Sequence, residues 1–140
     1  MRKYCWWIAV AYAIGVLLAT VFLRDSKEAA CFNTELTKGY FGGLETDMTR
    51  QDTLKNVMAF VPFGILVCFA CKRDGVLMAL LAGLFLSETV ECLQAILKRG
   101  IFDVNDLLAN TLGVGIGCVV YLMIMMIVKL RGMALARKQR

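Results

Sequence analysis

Two groups of ionisable and amide side chains recur at helical spacing within or beside apolar stretches of the sequence. Successive members are three or four residues apart: Glu88, Glu91 and Gln94 in the first group, and Asp103, Asp106 and Asn110 in the second. Residues at this spacing share one face of a helix. Because lipid does not solvate such groups, we expect both faces to point into the protein and towards each other.

Two further residues are predicted to join this polar site. Asn56 lies in an earlier apolar run at a similar predicted depth, and Arg99 lies between the two groups. Arg99 would pair with a carboxylate of the site or hold a phosphate or carboxylate ligand. Carboxylate and amide oxygens suit an amine or a divalent cation such as Mg²⁺ or Ca²⁺. We predict no resident metal or cofactor and keep the divalent cation as an open alternative.

The composition argues against the familiar catalytic sites. The chain contains no His and no G-x-S-x-G segment, so no common nucleophilic triad can be assembled. Two carboxylates in unlike environments would still suffice for acid and base catalysis. The simpler alternative is that the polar groups only hold helices together. One or two groups usually suffice for that, at about 0.6–2 kcal/mol each. The larger number found here favours a functional site.

Four apolar runs predict the elements that carry these residues. The 140-residue chain is 59% hydrophobic and 19% charged, which is more apolar surface than a soluble domain of this size can bury. A helix of about 20 apolar residues crosses a bilayer core. The predicted helices cover residues 4–23, 54–71, 76–97 and 106–128, with a polar loop at 24–53 and a basic tail at 129–140. We therefore predict one domain of the all-α membrane class, a bundle of four transmembrane helices.

Small residues and a proline are predicted to shape the helix packing. Pro62 and Gly64 lie in the second run, where the proline removes a backbone hydrogen bond that neighbouring helices can replace. Gly113 and Gly117 form a G-x-x-x-G segment in the fourth run, which lets another helix approach closely. Five of the six Cys lie in or beside apolar runs, where Cys acts as a small hydrophobic residue.

The distribution of positive charge predicts the orientation. Four spans put both termini on one side, and nine of the 16 Lys and Arg residues lie at the termini or in the 72–75 turn. The positive-inside rule then places both termini in the cytoplasm, and the polar site near the outer face. The net charge of +5 is explained by this topology and by attraction to anionic lipid, so no nucleic-acid partner is predicted.

This orientation predicts that Cys31, in the loop at 24–53, faces the outside of the cell. A membrane-impermeant thiol reagent should label it in intact cells. Failure to label Cys31 in intact cells, with labelling of the same thiol after permeabilisation, would contradict the orientation.

The order and spacing of the polar and small residues resemble those of the VanZ-like family. The first matching segment is N-x-x-x-F-x-P-x-G, from Asn56 to Gly64. The second is E-x-x-Q, R-x-x-x-D-x-x-D-x-x-x-N-x-x-G-x-x-x-G, at Glu91, Gln94, Arg99, Asp103, Asp106, Asn110, Gly113 and Gly117. The resemblance implies a bacterial plasma-membrane protein of the cell envelope. The family's founding member is associated with resistance to teicoplanin, a lipoglycopeptide.

Four functions follow as hypotheses. The first is an envelope protein that binds or modifies a molecule at the outer leaflet, such as a lipid, a cell-wall precursor or the glycopeptide, and so lowers access of the drug to its target. The second is an enzyme acting on a lipid-linked or cell-wall substrate. The third is a small proton-coupled transporter, which would need to form a homo-oligomer because four helices without an inverted repeat rarely transport alone. The fourth is a structural module whose polar faces serve packing.

Overall fold

A computed structural model describes residues 2–22, 32–33, 46–71, 74–99 and 102–138. Its elements in chain order are α1 (Arg2–Phe22), β1 (Phe32–Asn33), α2 (Thr46–Cys71), α3 (Gly75–Ile96), β2 (Phe102–Asp103) and α4 (Val104–Lys138). The four helices each contain a stretch long and apolar enough to cross a membrane. The predicted all-α class and four transmembrane helices are confirmed. Cys31 and most of the loop lie outside the described residues.

Two helices are longer than their apolar runs. α2 begins at Thr46, so residues 46–53 are helical rather than part of the loop, and α4 runs from Val104 to Lys138, through most of the basic tail. Hydropathy marks the part of a helix that lipid can surround. The backbone hydrogen bonds continue into water where the residues are good helix formers, as Lys, Arg, Ala, Leu and Met are in the tail.

α2 and α4 approach each other closely, and the contact depends on glycines in both. A Cβ atom added at Gly113 would overlap the carbonyl oxygen of Val57, and one added at Gly117 would overlap the α2 backbone one turn further along. From the other side, a Cβ at Gly64 would lie 2.5 Å from the carbonyl oxygen of Val114. The backbones of the two helices are therefore in direct contact, as small residues permit in membrane bundles.

A second glycine contact fixes the rotation of α3. A Cβ added at Gly83 would overlap the side chain of Val114, which is fully buried. Gly83 therefore faces α4. Residues that follow it at helical spacing, beginning with Ser87, are directed to the same side of α3.

Polar contacts attach α1 to the rest of the bundle. The Tyr12 hydroxyl donates to the carbonyl oxygen of Ala59 at 2.9 Å. Ala59 lies in the turn of α2 before Pro62, where the proline cannot donate to the carbonyl of Met58. The Tyr12 bond is made to the carbonyl one residue after the one that loses its helical donor, and it joins α1 to α2 at the proline turn.

The core lies between the helices, and the outward surfaces stay apolar. The buried hydrophobic cluster contains Ala9, Val16, Phe60, Phe63, Val67, Cys68, Ala79, Leu86, Val114, Cys118 and Tyr121. The Cys68 and Cys118 thiols are free and lie 3.4 Å apart between α2 and α4. All four helices also expose large apolar side chains, as a surface in contact with lipid requires.

The glycine contacts predict unequal effects of alanine at two neighbouring positions. Gly113→Ala should lower the free energy of unfolding by about 1–3 kcal/mol, because its methyl group has no space against α2. Gly115→Ala is the matched control, since nothing lies within 4 Å of its added Cβ. That variant should be neutral, or more stable by about 0.5–1 kcal/mol through helix propensity. Thermal unfolding in detergent measures both, and equal melting temperatures would contradict the close contact.

Candidate polar site at one end of the bundle

The polar residues gather at one end of the bundle, where α1 and α3 end and α2 and α4 begin. This region is called the polar end. The part of the chain that the structure describes has five buried polar or charged side chains, and all belong to α3 or α4: Ser87, Glu91, Gln94, Asp106 and Asn110. They are at most 9% exposed. Groups that lipid cannot solvate are thus enclosed by the bundle, as expected for ionisable residues of membrane helices.

A Schellman motif ends α3 and positions Arg99. Lys98 has a left-handed conformation with φ of 55°. The Lys98 N–H donates to the carbonyl oxygen of Ala95 at 3.2 Å, and the Arg99 N–H donates to that of Gln94 at 2.8 Å. These two bonds define the motif. The chain turns back over the end of α3, so that Arg99 comes close to α1.

The start of α4 is capped by an aspartate that also meets α3. The Asp103 Oδ1 atom accepts hydrogen bonds from the backbone N–H of Asn105 at 2.8 Å and from its side-chain amide at 2.9 Å. This is the bonding expected of an N-cap residue. The backbone N–H of Asp103 donates to Oε2 of Glu91 at 3.0 Å. Asp106 lies in the first turn of α4, where the helix dipole favours a negative charge.

Gln94 and Arg99 hold the end of α1. The Gln94 side-chain amide donates to the carbonyl oxygen of Thr20 at 3.0 Å, and Arg99 Nη1 donates to that of Phe22 at 3.1 Å. Carbonyl groups in the last turn of a helix lack partners within it, and a positive charge there is favourable. The Arg99 guanidinium also lies 5.5 Å from the centre of the Phe22 ring. Gln94 and Arg99 therefore both have a structural role.

A buried pair between α3 and α4 is incompletely hydrogen-bonded. The Asn110 side-chain amide donates to the Ser87 hydroxyl at 2.8 Å. Asn110 is 2% exposed and Ser87 is 0% exposed, yet Oδ1 of Asn110 has no hydrogen-bond partner among the described residues. A buried acceptor without a donor costs about 1–3 kcal/mol. A bound molecule that supplies an N–H or O–H group would remove this cost.

Two predicted members are not among the buried polar side chains. Glu88 is exposed, on the surface of α3 away from the buried polar side chains, and Ser87 takes its place on the buried face. The spacing of Ser87, Glu91 and Gln94 is four and then three, which matches two helical turns better than two intervals of three. Asn56 is half-buried in α2 and makes no hydrogen bond to the described residues beyond those of the helix backbone.

The described residues contain no group of three or more His, Cys, Asp or Glu side chains that could hold a metal ion. The described residues therefore provide no set of ligands for the divalent cation considered in the sequence analysis.

The left-handed Lys98 predicts opposite effects of two substitutions. Lys98→Gly should leave stability unchanged or raise it slightly, because glycine adopts positive φ without steric cost. Lys98→Val should lower stability by at least about 1–2 kcal/mol, since its Cβ clashes in this conformation and the side chain is branched. Thermal unfolding of the two variants measures the difference, and a valine variant as stable as the glycine variant would contradict the motif.

Comparison with known proteins identifies the family of the chain. The family model VanZ/LLP1 matches residues 9–127. Protein VanZ of Enterococcus faecium is 35% identical over 71 residues, a match that covers 51% of this chain and 44% of that protein. The aligned part is thus less than half the length of that relative. No solved structure matches the chain. The family match extends over most of the four-helix bundle, and the chain belongs to the VanZ/LLP1 family.

Proposed function

We propose that this protein acts in the bacterial plasma membrane as a VanZ-like envelope protein that lowers susceptibility to teicoplanin-type lipoglycopeptides. The proposed site is the polar end of the bundle. The observation that supports it best is the buried Ser87–Asn110 pair, one turn from the buried carboxylate of Glu91. Among the described residues, the Asn110 Oδ1 atom of this pair has no hydrogen-bond partner.

The incomplete hydrogen bonding separates this site from simple packing. Polar groups that only join helices are normally satisfied within the protein, because each unmet group in a membrane is costly. Gln94, Arg99 and Asp103 follow this rule through their contacts with backbone groups. The Ser87–Asn110 pair does not, and it therefore suits a role in binding.

The chemistry of the site favours a ligand rich in N–H and O–H donors. The Asn110 amide oxygen and the carboxylates of Glu91 and Asp106 are acceptors, so they complement amine, amide or hydroxyl groups. Cell-wall precursors and glycopeptides carry such groups. The guanidinium of Arg99, at the same end, would attract a phosphate or carboxylate of the same ligand. With the predicted orientation, the site would open towards the outer leaflet, where the drug acts.

A structural module is the second candidate. It is favoured by the observation that Gln94 and Arg99 hold the end of α1 while Asp103 caps α4. In that function the hydrogen bonds of Glu91 would matter but its charge would not. The two candidates therefore differ in the effect of removing one charge at constant shape.

Drug susceptibility of a sensitive Gram-positive host tests the proposal. Expression of the wild type should raise tolerance to teicoplanin several-fold and leave tolerance to vancomycin unchanged. Glu91→Gln keeps the shape and hydrogen bonding of the side chain but removes its charge, and should return teicoplanin tolerance to that of the empty vector.

The control is Asp74→Asn, which also removes one carboxylate but at the opposite end of the bundle. Asp74 is exposed and makes no side-chain cap hydrogen bond, so this variant should behave as the wild type at equal membrane levels. Full tolerance with Glu91→Gln would favour the structural module. A wild type without effect on either drug would show that resistance is not the function of this protein.

A further inference from the structure

An apolar groove of about 310 Å³ lies open on the side of the bundle, between α1 and the pair of helices α2 and α3. Its floor is formed by Phe63, Val67 and Leu86, which are buried. Its rims include Trp6 of α1 and Phe85 of α3, which are 43% and 72% exposed. The helices thus leave a hollow that the described residues do not fill.

The length of the groove matches one leaflet of a bilayer. Along α1 it extends from Trp6 to Leu17, eleven residues or roughly 16 Å, and half of a bilayer core is about 15 Å. Tyr4, Trp6 and Trp7 are exposed near the N-terminal end of α1, and exposed Trp and Tyr mark the boundary between lipid and water. The groove therefore begins at the interface opposite the polar end and reaches towards the middle of the membrane.

The lining of the groove does not suit a polar occupant. Its polar side-chain groups are the indole N–H of Trp6 and the hydroxyl of Thr89, and this hydroxyl already donates to the carbonyl oxygen of Phe85 at 2.7 Å. A buried water usually has about two to four polar partners, so water gains little in the groove. An empty groove would lose the dispersion contacts of its lining. The occupant is therefore apolar, and the surrounding bilayer supplies it.

The dimensions of the groove favour a single hydrocarbon chain over a helix of another protein or of a second copy. A volume of about 310 Å³ spread over roughly 16 Å corresponds to a channel about 5 Å wide, whereas an α-helix with its side chains is about 10–12 Å across. Since a cavity of about 150 Å³ holds benzene, the groove has room for about twelve carbon atoms. That is a large part of one acyl chain.

We propose that one acyl chain of a membrane phospholipid occupies this groove and completes the packing of α1. The headgroup lies at the Trp6 end, and the chain runs towards Leu17. Ala9 and Ala13 of α1 and Ala82 of α3 keep the groove open, because larger side chains at these positions would fill it. The groove shares no residue with the buried polar side chains of the polar end, so this lipid site does not rest on the proposed function.

Two neighbouring tryptophans test the site, because Trp6 lines the groove and Trp7 does not. The purified full chain, with either Trp7→Phe or Trp6→Phe, is placed in micelles with detergent in large excess over lipid. Phosphatidylcholine brominated in the upper part of its acyl chains is added as a contact quencher of fluorescence. Trp6 should lose most of its emission, with saturation at one lipid per chain. Trp7, although 73% exposed, should lose little. Equal quenching of the two residues would overturn the proposal.

Substitutions at adjacent residues of α1 locate the bound chain. Ala13→Phe, in the variant that retains Trp6, places a ring in the groove and should abolish the saturable quenching. Ile14→Phe is the matched control, because Ile14 is exposed and does not line the groove, and it should leave the quenching unchanged. Ala82→Leu fills the groove from α3, in case Ala13→Phe does not fold. Saturable quenching that persists in a groove-filled variant with the helix content of the wild type would refute the site.

Competition between lipids separates recognition of the chain from recognition of the headgroup. Unlabelled long-chain phosphatidylcholine should displace the brominated lipid and restore the emission of Trp6. Phosphatidylcholine with chains too short to reach Leu17 should compete at least about tenfold more weakly, because fewer methylene groups are buried in the groove. Equal competition by the two lipids would show that the headgroup is what binds, and it would rule out the acyl-chain site.

Discussion

Every polar group of this bundle is placed under one constraint, which is that the lipid core provides no hydrogen bonds. Helices satisfy most of their own backbone, but their ends and the turn next to a proline do not. In this protein, Gln94 and Arg99 donate to carbonyl groups in the last turn of α1. Tyr12 donates from α1 to the carbonyl of Ala59, next to the one that Pro62 leaves without its helical donor. Gln94 and Arg99 therefore serve first to join the end of α3 to the end of α1, with protein donors in place of water.

The glycines also hold helices together, but they do so through close backbone packing and not through hydrogen bonds. Gly64, Gly113 and Gly117 let α2 and α4 touch through their backbones. α3 is then positioned against α4 by Gly83 and Val114. α1 packs less completely and leaves an apolar groove of about 310 Å³ against α2 and α3. The polar contacts at its end matter more for that reason.

The polar end combines satisfied and unsatisfied groups. Glu91 accepts from the backbone of Asp103, and Asp103 caps α4, so these two acids help to connect α3 with α4. Deeper in the bundle, the Ser87–Asn110 pair is enclosed but incomplete. A protein can tolerate the cost of an unmet buried acceptor where a bound molecule meets it. The pair on which the proposed binding function rests thus lies just inside the contacts that Glu91 and Asp103 make between α3 and α4.

The sequence by itself determined the membrane class, the four helices and most of the polar side chains that are buried at one end of the bundle, because hydropathy and residue spacing are local properties of the sequence. It did not determine how each helix is rotated. Gly83 against Val114 turns Ser87 inward and Glu88 outward, and this depends on a contact between two helices. Nor did it reveal that Gln94 and Arg99 bond to carbonyl groups more than 70 residues away in α1. A side chain's partner across the bundle follows from how the helices pack, and no local pattern contains that information.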